Sequence, residues 1–310
     1  MNYRECAEWL SKRDNFIIIT HLRPDGDTLG SAAALCSALR RSGKNAYLFP
    51  NPEITQKYVE YVDEFLAESF KHEYGIAVDV AEERMFCNGF NGKVDLCIDH
   101  HPTNPHYADE LLLHAEKASC GESVLEVIKC LCGDVTSKEA SLLYMAVSTD
   151  CGCFRYANVT SETFAAASEL AACGAEVQKL NFKLFRQVSR ARITLEGMIS
   201  AGLKFYHDGA LVVATVTDEM MKIAGATEND CDDIAGIPGK VEGCVVSMVI
   251  RELETGKCKV SVRSQPNFDS SVICARFGGG GHKMASGCTV YETPEKVREM
   301  MVAAIDEVWA

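Results

Sequence analysis

Four clusters of acidic and histidine side chains carry the chemistry of this sequence. His21, Asp25 and Asp27 fall in THLRPDGD directly after the apolar run FIII, and Asp79 follows GIAV. Asp99, His100 and His101 follow VDLCI, and Asp150 follows SLLYMAVST. Each cluster alone has an ordinary explanation, since an Asp in Pro-Asp-Gly is first of all a turn former. Gathered in one crevice they do not, because packing carboxylates with imidazoles is costly unless cations neutralise them. Convergence therefore implies bound metal. Mixed imidazole and carboxylate donors without a thiolate suit Mn²⁺, with Mg²⁺, Co²⁺ or Fe²⁺ as alternatives. A carboxylate bridging two ions roughly 3.5–4 Å apart, with a hydroxide between them, is equipment for in-line attack on phosphorus.

Such residues are far apart in the chain, so regular elements must deliver them to one place. Phe16–Thr20, Ala46–Phe49, Gly75–Val80 and Val94–Asp99 read as strands that alternate with amphipathic helical stretches, the pattern of βαβ units around a mostly parallel sheet. Between Thr28 and Ser42, Leu29, Ala32, Ala33, Cys36 and Leu39 recur at helical spacing, and Gly43 closes the stretch. Further helices are expected at Gly121–Leu131, Lys138–Thr149 and Ser161–Cys173. In an open parallel sheet the carboxyl ends of the strands open on one crevice. All four clusters, Asp150 included, are expected at those ends.

Residues 181–200 form a Lys-, Arg- and Gln-containing helical stretch that reads as a connector. It divides the chain into a metal-binding domain over 1–180 and a smaller α/β domain over 201–310. The second domain is expected to contain strands at Leu211–Val216, Cys244–Arg251 and Lys257–Arg263, a short helix at Ser270–Phe277, the run GGGGHKMASG, and a helix beginning at Pro294. Gly278, Gly279, Gly280 and Gly281 precede His282. Consecutive glycines let backbone N–H groups approach an anion, so the run is a candidate phosphate nest. Arg263 is the nearest cation suited to a terminal phosphate, although a solvated strand-end arginine fits the same pattern.

Composition narrows the function class. At ~150 residues per domain, the 310 residues make about two domains, and 47% hydrophobic with 24% charged residues is ordinary globular usage. The net charge of −13 argues against holding long nucleic acid by counterion release from a basic face, but is compatible with a short anionic substrate met by a few local cations. Fifteen cysteines, an odd count without C-x-x-C pairs or a secretory signal, point to a reducing cytoplasm. The Cys130/Cys132 and Cys151/Cys153 pairs lack finger-like zinc spacing. No apolar run approaches the ~20 residues of a membrane span.

Together the motifs resemble the DHH phosphoesterases, a family named for the triplet that stands here as Asp99-His100-His101. The resemblance includes His21-x3-Asp25-x-Asp27, Asp79 and Thr149-Asp150, and the GGGGH run is similar to the family's DHHA1 substrate-binding domain. It implies His21, Asp25, Asp27, Asp79, His100 and Asp150 as ligands of two divalent ions, Asp79 bridging both. It further implies that His101 faces the phosphate as acid or electrostatic stabiliser and that Asp99 orients it. It favours substrate binding by Arg263, with Ser264 and Ser286 as secondary candidates. Among family members of this length it points to hydrolysis of short oligoribonucleotides and linear dinucleotides, and of 3′-phosphoadenosine 5′-phosphate, with a homodimer as the expected assembly. Competing readings are an inorganic pyrophosphatase or exopolyphosphatase and a non-catalytic nucleotide-binding protein. Where many relatives read T-D-T-G-x-F, this chain has Cys151 and Cys153, either as small packing residues or as oxidation-sensitive thiols.

Overall fold

The computed structural model describes residues 1–309 except Glu68, Asp232 and Thr255. The chain divides into two compact units, Met1–Gln187 and Val188–Ala310.

The first unit begins with α1 (Tyr3–Ser11), started by a capping box in which the Asn2 side chain accepts from the Glu5 amide and Glu5 accepts from the Asn2 amide. There follow β1 (Phe16–Ile19), α2 (Gly26–Arg41), β2 (Ala46–Leu48), α3 (Gln56–Val62), β3 (Tyr74–Val78), β4 (Leu96–Asp99) and β5 (Glu110–Leu113). Helices α4 (Cys120–Cys132), α5 (Ser137–Asp150), α6 (Ser161–Ala172) and α7 (Val177–Asn181) complete it, with one π-helical turn at Phe182–Arg186. The sheet order is β2-β1-β3-β4-β5, and every pair is parallel. Strand alternation splits β1 between two cores. Phe16 and Ile18 join the helical face with Leu29, Leu35, Val124, Ile128 and Leu143, while Ile17 and Ile19 face aromatic loops carrying Phe86 and Phe90.

Close helix packing depends on small residues. A Cβ on Gly30 of α2 would lie 2.4 Å from the Leu142 carbonyl oxygen of α5, and one on Gly121 of α4 would lie 2.7 Å from the Ala146 Cβ. These glycines let three helices converge behind the central strands.

The second unit contains α8 (Arg190–Ala201), β6 (Lys204–Tyr206), β7 (Leu211–Val216), α9 (Asp218–Ala224), β8 (Val246–Glu254), β9 (Lys257–Ser264), α10 (Ser270–Arg276), β10 (Gly280–His282), β11 (Ala285–Val290) and α11 (Pro294–Asp306). Its sheet runs β10-β11-β9-β8-β7-β6, parallel only between β7 and β8. The connector expected over 181–200 is corrected: α8 is part of this unit, because Leu195 and Ile199 are buried against Ala214, Val216 and Val249. Among the described residues no helix is long and apolar enough to cross a membrane.

Candidate metal centre

The three central strands of the first sheet end side by side, and the residues just beyond them supply most of the cluster. His21 lies two residues past β1, Asp79 follows β3, and Asp99 closes β4 ahead of His100 and His101. Asp25 is the N-cap of α2, accepting from the Asp27 and Thr28 amides, and Asp27 sits in that helix's first turn. Thr28 Oγ1 donates to the Val78 carbonyl at 2.8 Å, fastening the start of α2 to the end of β3. The expectation that Asp150 ends a strand is corrected. It is the last residue of α5, and Gly26, whose Cβ would fall 2.4 Å from Thr149 Oγ1, lets α2 close on that helix end.

Three donor sets result: His21, Asp25 and Asp79; Asp27, His100 and Asp150; and Asp79, His100 and His101, each with ligand atoms within 4.8 Å of one another. Asp79 stands in two of them. His21 Nε2 is 3.8 Å from Asp79 Oδ2 and 3.6 Å from Asp25 Oδ1. His100 Nε2 is 3.3 Å from Asp79 Oδ1 and 3.7 Å from both Asp27 Oδ2 and Asp150 Oδ2.

Both imidazoles are oriented for ligation. His21 Nδ1 bonds the Leu22 carbonyl at 2.8 Å and His100 Nδ1 the Lys117 carbonyl at 3.1 Å, so Nδ1 donates to backbone and Nε2 is the ring nitrogen that faces the carboxylates. Asp27 is fully buried and accepts from the Cys120 and Gly121 amides and from Ser31 Oγ. Asp79 is held in the left-handed region (φ 58°), and its buried Oδ1 has no hydrogen-bond partner. A carboxylate oxygen orphaned among imidazole and carboxylate donors fits a shared hard cation.

The electrostatics agree with that fit. Burial, joined by neighbouring carboxylates, pushes Asp27 and Asp79 upward and Asp150 up to about 6. Burial opposes a charged imidazole, but Asp79, Asp27 and Asp150 outweigh it and push His100 up to about 10; Asp25 and Asp79 do the same for His21, up to about 9. Excess negative potential is concentrated at one point.

His101 differs from His100. Its Nδ1 bonds Asp99 Oδ1 at 2.7 Å, which raises its pKa, and the ring is part exposed. Asp99 is buried and also accepts from the His100 and His101 amides and from Asn104 Nδ2 at 2.7 Å. Sequence reasoning passed over Asn104, although an amide side chain five residues beyond the triplet was a readable signal. Cys151 is buried and its thiol pushed up to about 11 by desolvation, the packing alternative rather than an exposed thiol; Cys153 is part exposed.

In the second unit several expectations change. Gly278 and Gly279 spend their amides on the Ala275 and Cys274 carbonyls, while Gly280, Gly281 and His282 form the edge strand β10, so the run is a turn leading into a hairpin. Cβ atoms on Gly279 and Gly281 would lie 2.2 and 2.6 Å from the Gly287 and Ala285 carbonyls, which explains the glycines as close strand packing. Ser286 is buried, donating to Ser270 Oγ and Cys274 Sγ, and Ser264 Oγ donates to the Phe268 and Lys283 carbonyls; both are committed to structure. Arg263 and His282 remain exposed. Both are register partners of Ala285, so they flank it on one sheet face.

Comparison with known proteins accords with this arrangement. The DHH family, N-terminal domain, matches residues 15–147 and the DHHA1 domain residues 208–310. The bifunctional oligoribonuclease and PAP phosphatase NrnA of Thermus thermophilus is 35% identical over 278 residues, covering 88% of this chain and 83% of that protein. NrnA of Bacillus subtilis is 27% identical, with 95% of each chain covered. An exopolyphosphatase-related protein from Bacteroides fragilis has a TM-score of 0.82 at 24% identity, covering 98% of this chain and 96% of its own. Exonuclease RecJ bound to manganese has a TM-score of 0.52 at 16% identity, covering 99% and 94%. The two solved structures share the fold. With a relative above one-third identity along most of both chains and both domains in order, the chain belongs to the DHH family of phosphoesterases, as a member with a DHHA1 domain.

Proposed function

We propose that the protein hydrolyses short oligoribonucleotides, linear dinucleotides among them, to mononucleotides and removes the 3′-phosphate of 3′-phosphoadenosine 5′-phosphate. The observation that carries this reading is Asp79, shared between two donor sets with one buried oxygen unpartnered. The named activity of the Thermus thermophilus and Bacillus subtilis relatives supports the choice of substrates.

His21, Asp25, Asp27, Asp79, His100 and Asp150 would hold two divalent ions, Mn²⁺ foremost. Bound ions would supply positive charge for the phosphoryl oxygens and a nucleophile at neutral pH. The remaining work belongs to the chain. His101, tethered through Nδ1 to Asp99, has Nε2 available to give a proton to the leaving oxygen. Asp99 stabilises the imidazolium form and Asn104 keeps Asp99 in place. Arg263 and His282 are assigned to parts of the nucleotide remote from the scissile bond, the guanidinium pairing with phosphate oxygens. An acidic protein with few such cations suits a short substrate, in keeping with the net charge of −13.

The test is release of AMP from the linear dinucleotide pApA and of phosphate from the adenosine bisphosphate. Both activities should disappear on chelation and return with Mn²⁺. Hydrolysis that persists in chelator would overturn the metal-dependent reading.

A further inference from the structure

The loop that follows Asp150 has a conformation that the metal centre alone does not require. Gly152, Cys153 and Phe154 occupy the left-handed region in succession (φ 56°, 55° and 62°), and for the two residues with a Cβ that is uncommon and costly. Specific contacts hold the loop there. The Arg155 and Tyr156 amides donate to the Cys151 carbonyl, and the Phe154 ring lies 5.6 Å from that of Phe164, centroid to centroid. Asn158 Nδ2 donates to the Asp150 and Ala118 carbonyls, tying the loop to the last residue of α5 and to the segment before α4.

This geometry displays two side chains. The Tyr156 ring lies over Gly152, where a Cβ would come within 2.4 Å of a ring carbon, yet the residue is 58% exposed. One face of the ring is thus supported by backbone while much of the side chain meets solvent. Beside it, Arg155 Nε donates to the Gly152 carbonyl at 2.6 Å, and its terminal guanidinium nitrogens have no protein partner among the described residues. A rigid aromatic surface next to an unpaired cation, a few residues from a metal-ligand candidate, matches a planar ring attached to a phosphate.

We propose that Tyr156 is the stacking surface for the base of the nucleotide whose phosphate occupies the metal centre, with Arg155 facing a phosphate of the same substrate. The inference rests on the phosphoesterase reading and deepens it. Stacking is tolerant of base identity, since every base has a π-face. The enzyme should therefore favour nucleotides over base-free phosphates while discriminating little among short sequences.

The experiment compares wild type, Tyr156→Ala and Tyr156→Phe on pApA and on its abasic counterpart, with Mn²⁺. The Ala variant should raise KM for pApA about tenfold with little change in kcat, and lower the preference for pApA over the abasic substrate by a similar factor, whereas the Phe variant keeps both near wild type. A separate titration follows the fluorescence of 2-aminopurine ribonucleoside 5′-monophosphate, which should be quenched by wild type and Tyr156→Phe but not by Tyr156→Ala. Equal losses on both substrates, or quenching that survives Tyr156→Ala, would overturn the stacking role. Failure of wild type to cleave pApA would count against the phosphoesterase reading, and the titration, which needs no turnover, would still decide the stacking claim.

Discussion

His100 Nε2 lies 3.3 Å from Asp79 Oδ1, and that buried oxygen makes no hydrogen bond. With His100 Nδ1 bonded to the Lys117 carbonyl, the two facing atoms are an imidazole Nε2 and a carboxylate oxygen, donor types that a divalent cation can share. Asp79→Ala removes the carboxylate common to two donor sets. Bound Mn²⁺, measured by equilibrium dialysis, should fall from two ions per chain to one or none, and phosphoester hydrolysis should fall to background. Two tightly held ions in the variant would refute the shared role.

Asp99 Oδ1 bonds His101 Nδ1 at 2.7 Å. Asp99→Asn removes the charge that favours the imidazolium while keeping the side chain's shape, and kcat should drop by about 10²–10⁴ with Mn²⁺ affinity retained. Asn104→Ala, one contact further out, should cost about tenfold. The drop should shrink with a substrate whose leaving group needs no proton, such as a nitrophenyl ester. An equal loss on both substrates would place Asp99 in structure alone.

The apolar runs and the helical spacing of Leu29, Ala32, Ala33, Cys36 and Leu39 made the first sheet and α2 legible in the sequence, because strand and helix periodicities are local signals. The acidic and histidine residues were legible for the same reason, as they follow those runs. β5 was not read, since it is an edge strand in which only Leu112 is buried and its pairing with β4 is a tertiary fact. Asp150 was assigned to a strand end although the helix expected just before it already suggested a helix terminus. The packing role of the glycines was not legible because Gly279 and Gly281 answer to carbonyls across a hairpin, which no local pattern reveals.

Helix packing and the site are coupled through Gly30. Gly30→Ala puts a methyl against the Leu142 carbonyl and should destabilise the protein by about 1–3 kcal/mol. Because α2 also carries Asp27, Mn²⁺ affinity should weaken as well. Gly43→Ala, where φ is 81° but space is open, should cost about 1 kcal/mol without altering metal affinity. Thermal melts with and without Mn²⁺ separate the two.

Arg263→Ala should raise KM for pApA several-fold and leave kcat within about twofold, as expected for a group that binds substrate and transition state alike. Steady-state kinetics decide it, and a loss confined to kcat would contradict the assignment.

Thiol reactivity should follow burial. At neutral pH the Cys151 thiol stays protonated, its pKa being pushed up to about 11 by desolvation, whereas Cys130 is exposed. Iodoacetamide followed by peptide mass spectrometry should label Cys130 early and Cys151 last. Early labelling of Cys151 in the folded protein would contradict its packing role.

The central claim is tested most directly by initial rates with Mn²⁺ on a 5′-phosphorylated RNA dinucleotide, a long RNA, 3′-phosphoadenosine 5′-phosphate and pyrophosphate, measured side by side. The predicted result is turnover of the dinucleotide and the adenosine bisphosphate well above the long RNA and pyrophosphate. Cleavage of pyrophosphate alone, or no cleavage of any of the four, would contradict it.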